Sequence, residues 1–134
     1  MKQSQPLQIW FEDSDEWEGW AKRNDPVLHV ELRKLADILL VAPLSANTMG
    51  KFANGLADNL ITNVFRAWDF QNESCVVAPA MNTFMYQNPI TEIQEKFLQD
   101  KLKVTVLPTV EKTLMCGDTG LGAMSEIEDI VNAV

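Results

Sequence analysis

The chain has 134 residues, 46% of them apolar, and carries 11 Lys and Arg against 19 Asp and Glu, a formal charge of −8. Length and apolar content fit one folded domain and exclude an intrinsically disordered chain. The acidic balance excludes a general nucleic-acid binder and a polybasic membrane anchor, both of which need Lys and Arg in excess.

No run of 18 apolar residues and no signal-type opening are present, and the only cysteines are Cys75 and Cys116. The expected setting is therefore the reducing cytoplasm, without a membrane. Residues 7–11 read as a short strand and residues 13–23 as a helix. Five acids fall within residues 12–18. They suit a solvated first helical turn or, with Trp17 and Trp20 three apart on one face, an acidic docking edge. Asp25-Pro26 marks a turn, because the residue before proline leaves the helical region. A short helix is expected over 27–36, followed by an apolar strand over 37–42. That strand lacks polar alternation, which predicts cover on both faces, as in a parallel sheet. Helices are expected at 47–54 and 58–68, separated by Gly55. Asp58 is the expected cap of the second, whose Leu60, Ile61, Val64, Phe65 and Trp68 follow the helical period. Residues 75–78 read as a second buried strand. Thr91 and Gln94 form a capping box opening a helix to residue 101, residues 104–107 a third strand, and Ser125 with Glu128 the cap of a terminal helix. Alternating strands and helices with short links make a single α/β domain over 1–134, built on a parallel sheet.

In such sheets ligands bind beyond the carboxyl ends of the strands. Three segments qualify. Residues 43–48 bring Ser45, Asn47 and Thr48 to a helix N-terminus, where they act as caps or leave backbone N–H groups for an anion or a cofactor's polar edge. Residues 79–86 place Met81, Met85, Phe84 and Tyr86 around Asn82, which suits a flat ligand with a polar end or, for the methionines, core packing. Residues 108–123 form a long segment with glycines at 117, 120 and 122, pointing to a mobile flap or a close backbone approach. The pair Gly120 and Gly122 lacks the third spaced glycine of a dinucleotide fingerprint. Cys116 is a buried thiol or a proton donor on that flap. His29 is the only histidine. It is the default acid–base group at neutral pH, although a lone histidine beside Val27, Leu28 and Val30 is more often structural. Neither histidine pairs nor clustered cysteines are present to make a zinc site.

Five segments occur in one order: Asp25-Pro26-Val27-Leu28-His29-Val30-Glu31-Leu32-Arg33; Ala42-Pro43-Leu44-Ser45-Ala46-Asn47-Thr48-Met49-Gly50-Lys51; Asp58-Asn59-Leu60; Pro79-Ala80-Met81-Asn82 with Met85; and Cys116-Gly117-Asp118 with Gly122-Ala123-Met124. By these segments the chain resembles the phosphopantothenoylcysteine decarboxylases, part of a flavin-dependent cysteine decarboxylase group that includes the halotolerance-type phosphatase regulators. The resemblance implies FMN-dependent decarboxylation of 4′-phosphopantothenoylcysteine to 4′-phosphopantetheine in coenzyme A synthesis. The cysteine side chain is oxidised to a thioaldehyde, the carboxylate leaves as carbon dioxide, and the ene-thiolate is reduced and protonated. It further implies that His29 matches the active-site histidine and Asn82 the amide holding the substrate carboxylate. Met85 lies in the same substrate motif, and Cys116 matches the flap cysteine that donates the last proton. Ser45, Ala46, Asn47, Thr48 and Ala80 match flavin-contacting positions. Tyr86 stands where the family usually has tryptophan.

The implied fold is a Rossmann-like, flavodoxin-like three-layer α/β sheet, here without the family's first two strands and their Gly/Ser phosphate-binding loop. The implied assembly is a homotrimer, or a heterotrimer with family members, with flavin between subunits. A rival reading from another class is a non-catalytic regulatory or partner subunit of the phosphatase-inhibitor kind, motivated by the acidic segment and the missing phosphate loop.

Overall fold

The computed structural model describes residues 8–113 and 119–134. A short helix α1 (Asp13–Glu18) opens it, half the length the sequence pattern suggests. Gly19 caps its end, and Asp25 then draws the chain into a turn, its Oδ2 accepting from the N–H groups of Ala21 and Lys22. Residues 8–11 form no strand. Their backbone has no neighbouring strand to pair with among the described residues, and Trp10 is 86% exposed. A strand-like run of side chains does not make a strand without a partner for its N–H and C=O groups.

Helix α2 (Leu28–Leu35) leads into β1 (Ile38–Leu44), α3 (Ala46–Asn54), α4 (Leu60–Ala67) and β2 (Ser74–Pro79). A single turn α5 (Thr83–Tyr86), the long α6 (Pro89–Leu102) and β3 (Thr105–Val106) follow. The three strands make a parallel sheet in the order β1-β2-β3, with Leu39 beside Cys75, Val41 beside Val77 and Val76 beside Thr105. Cover on both faces, expected for both apolar strands, holds for β2, buried from Cys75 to Pro79. It fails for β1, where Leu39, Val41 and Leu44 are buried while Leu40 is 40% exposed and Ala42 is open. β1 is an outer strand of the described sheet, and only one of its faces meets the core. That core joins Leu39, Val41, Val77 and Leu98 to Met49, Phe52, Phe65 and Trp68, with the rings of Phe52 and Phe65 stacked at 3.7 Å.

Three caps differ from expectation by a few residues. Asn59, not Asp58, caps α4: its Oδ1 accepts from Thr62 N–H at 3.1 Å, and Thr62 Oγ1 accepts from Asn59 N–H at 3.0 Å. Asp58 instead pairs with Lys51 Nζ at 2.9 Å, which holds its carboxyl below the usual range. α6 begins at Pro89, with Asn88 Oδ1 accepting from Ile90 N–H at 3.0 Å. Thr91 is buried inside its first turn and donates to Met85 O at 2.8 Å. Glu126 takes the N-cap position of α7 (Ile127–Ala133), while the Ser125 hydroxyl donates to Pro108 O. The segment expected as one long loop contains an antiparallel pair, β4 (Val110–Thr113) and β5 (Thr119–Ala123). No helix among the described residues is long and apolar enough to cross a membrane.

Candidate functional site

Because β1 and β2 run parallel, their exits lie at the same end of the sheet. Ala80 N–H donates to Leu44 O at 2.9 Å and ties the two exits together. Ser45 caps α3: its Oγ accepts from Thr48 N–H at 3.2 Å and donates to Thr48 Oγ1 at 3.1 Å. Capping is thus confirmed for Ser45, and it consumes one first-turn donor. The N–H groups of Ala46 and Asn47 remain outside that cap and the i−4 ladder. On the neighbouring exit Asn82 caps α5, its Oδ1 accepting from Met85 N–H at 2.9 Å. This fixes the amide orientation and turns the two Nδ2 donors away from the helix. Between α3, the 80–82 loop and the start of α6 lies a cavity of about 350 Å³, lined by Ala46, Asn47, Met49, Met81, Met85, Asn88, Ile90, Thr91 and Gln94. Its walls combine apolar, polarizable side chains with amides at the rim, which suits a flat ring with a polar edge.

The β4–β5 pair packs on this exit. Met81 N–H donates to Gly122 O at 2.9 Å. A Cβ at Gly122, whose φ is +129°, would collide with Met81 O, and one at Gly120 would lie 2.7 Å from Thr83 Cγ2. Two of the three glycines therefore serve a close approach of the hairpin to the Asn82 loop. Cys116 falls between β4 and β5 in the sequence and lies outside the described residues. Cys75 sits on buried β2, where burial pushes its thiol up to about 12, so it is an inert core residue.

His29 occupies the first turn of α2 and is not part of the cavity lining. Its Nδ1 pairs with Glu16 Oε1, and its backbone N–H donates to Glu16 Oε2 at 3.1 Å. The histidine side chain is 22% exposed, while Glu16 is buried. Arg33 anchors the other end of α2, its Nε donating to Ala67 O at 3.1 Å and its Nη2 pairing with Asp69 at 3.2 Å. The acidic segment is neither wholly solvated nor wholly available for docking. Asp13 Oδ1 accepts from Leu60 N–H at 2.9 Å, Asp15 Oδ2 from Glu12 N–H at 2.6 Å, and Glu16 holds His29. Trp17 and Trp20 stay exposed. Glu16 is the residue that sequence reasoning missed: it and His29 are 13 positions apart, and no local pattern links them.

The chain is an α/β protein that brings amides and methionines together beyond the carboxyl ends of parallel strands, the place where proteins of this class bind their ligands. The chain belongs to the flavoprotein family: the model described as Flavoprotein matches residues 1–134. It is 52% identical over 124 residues to phosphopantothenoylcysteine decarboxylase of Arabidopsis thaliana, covering 92% of this chain and 58% of that protein. It is equally similar to the Mus musculus enzyme of that name, over 92% of this chain and 60% of that one. Among solved structures it is similar to a cysteine-to-serine mutant of PPC decarboxylase complexed with pantothenoylaminoethenethiol, at TM-score 0.88 and 52% identity over 92% of this chain and 66% of that one. It is also similar to the FMN-binding protein AtHal3, at TM-score 0.82 and 53% identity over 92% of this chain and 65% of that one. The chain thus spans about three-fifths of the length of these curated relatives.

Proposed function

We propose that this chain serves the FMN-dependent decarboxylation of 4′-phosphopantothenoylcysteine to 4′-phosphopantetheine, a lyase step of coenzyme A synthesis. The observation that carries this reading is the common cavity that joins Ala46 and Asn47 of one strand exit to Met81 and Met85 of the next; Asn82, next to Met81 in the chain, holds Met85 N–H through its Oδ1. The residues fit the flavin ring of FMN. Methionine side chains offer polarizable walls for a planar ring, and the Ala46 and Asn47 N–H groups, set by the Ser45 cap, offer donors for its polar edge. Thr48 holds that cap, and Ala80 joins the flavin wall to the substrate wall through Leu44. When bound, FMN supplies reversible oxidation of the cysteine side chain.

The protein's own part is orientation. The two Nδ2 donors of Asn82 hold the substrate carboxylate while its Oδ1 stays committed to Met85 N–H. An amide binds the carboxylate without the locked ion pair an arginine would form, so carbon dioxide can leave. Met85 closes the apolar side, His29 acts as the acid–base group and Cys116 donates the last proton. His29 stands outside the lining of this chain's cavity, which supports a site shared between subunits of a homotrimer, or of a heterotrimer with family members. The setting is cytoplasmic.

The test is direct. The purified chain should take up FMN, show flavin absorbance in the visible range and release carbon dioxide from phosphopantothenoylcysteine, and His29→Asn should abolish that release. A chain that binds no added FMN and releases no carbon dioxide refutes the proposal.

A further inference from the structure

We infer that Glu16 is a positioning residue that sets the tautomer of His29 and presents Nε2 as its one basic nitrogen; the inference rests on the reading of His29 as the acid–base group. Glu16 is the one charged side chain among the buried described residues, at 6% exposure. A carboxylate kept from water needs strong partners, and both its oxygens go to a single residue. Oε1 meets the His29 ring at Nδ1, and Oε2 accepts from the His29 backbone N–H at 3.1 Å. Two bonds from one carboxylate to the ring and the backbone of the same residue fix the rotation of that ring.

The surroundings give the carboxylate this position. α2 has Val27 at its N-cap, without a side-chain cap. His29 N–H is thus one of the unpaired donors of the first turn, and Glu16 satisfies it from another helix while placing negative charge at the favourable end of α2. α1 is itself held, because Asp13 Oδ1 accepts from Leu60 N–H at 2.9 Å and so fastens it to the start of α4. The chemical consequence follows from donor counting. A carboxylate only accepts, so the ring nitrogen facing it carries the proton, and the lone pair of neutral His29 lies on Nε2.

Glu16→Gln separates this role from mere packing. The backbone N–H of His29 is a permanent donor and keeps the amide oxygen of the new side chain. The NH₂ group then faces Nδ1, which must become the acceptor, and the proton moves to Nε2. The substitution keeps size and shape and reverses the tautomer. His29 is the only histidine, so long-range ¹H–¹⁵N spectra of the labelled, tag-free chain in mildly alkaline buffer report it without overlap. The expected result is an Nδ1–H tautomer in the wild type and an Nε2–H tautomer in Glu16→Gln. Carbon dioxide release should fall on the order of 10²-fold or more in kcat, with KM nearly unchanged, because the basic nitrogen now points at the wrong partner. A wild type showing the Nε2–H form or an even mixture overturns the inference, whatever happens to the variant. A folded Glu16→Gln that retains Nδ1–H overturns it as well. The predicted tautomers in a chain without turnover would uphold the action of Glu16 on His29 and refute the proposed function instead.

Discussion

Replacing Gly122 by alanine tests whether the β4–β5 hairpin is seated on the Asn82 loop by backbone contact. At φ +129° a residue with a side chain costs about 1–3 kcal/mol. The new methyl would also run into Met81 O, so the Met81 N–H to Gly122 O hydrogen bond of 2.9 Å is lost, at about 1 kcal/mol. Together these amount to about 2–4 kcal/mol. Gly55→Ala is the control. Gly55 also has a positive φ, +71°, but the nearest atom to its Cβ position is 3.7 Å away on the flexible Arg66 side chain. It should cost only the left-handed conformation, about 1–2 kcal/mol. Urea unfolding with amide hydrogen exchange at Met81 distinguishes the two. Whether the whole fold or the hairpin alone bears the loss, exchange at Met81 should rise at least about 30-fold in Gly122→Ala, the equivalent of 2 kcal/mol. In Gly55→Ala Met81 should stay protected relative to its neighbours on β2. An unchanged midpoint with unchanged Met81 protection in Gly122→Ala would refute the seating argument.

Two further substitutions address single residues. Burial raises the Cys75 thiol from its usual value near 9 to about 12, so the folded state keeps a proton that the unfolded chain gives up. The stability this contributes is complete below pH 9 and is lost as pH rises toward 12, about 4 kcal/mol over the range. Unfolding free energies of the wild type should fall toward those of Cys75→Ala across that interval, and parallel curves would disprove it. Asn82→Asp keeps a good N-cap, so stability should change by less than about 0.5 kcal/mol. The same change replaces two donors with a charge that repels a carboxylate, and kcat/KM for decarboxylation should drop about 100-fold or more. Turnover within about threefold of wild type would remove Asn82 from carboxylate binding.

Periodicity located β2, α2, α3 and α4 within a residue or two, because the helices carry apolar residues three or four positions apart and β2 carries them in one unbroken run, all packed on one core. It failed where the deciding partner lies elsewhere. Residues 8–11 have strand-like side chains and no strand beside them among the described residues. Thr91 and Gln94 have the spacing of a capping box, but Asn88 and Pro89 begin the helix earlier, and the fixed φ of proline suits its first position. β5 contains Gly120 and Gly122, which weaken any strand pattern, and it forms because β4 pairs with it. At the site, Ser45, Asn47, Met81 and Met85 were legible from their place at strand exits. The Glu16 contact was not, since it depends on how α1 folds against α2. Which side of the Asn82 amide faces outward was equally illegible, because the cap with Met85 N–H decides it.

The link from Ala80 N–H to Leu44 O couples the positions of the two strand exits. Two surfaces that the proposed decarboxylation needs at a fixed separation are here hung from adjacent strands, one of them buried along nearly its whole length. A bend of the sheet that moves the two strands together carries both surfaces in the same direction. Such common-mode motion cancels in the distance between them, and that distance is what governs a reaction sensitive to displacements of an ångström. The protein can therefore be soft as a whole and still keep a stiff gap where stiffness counts.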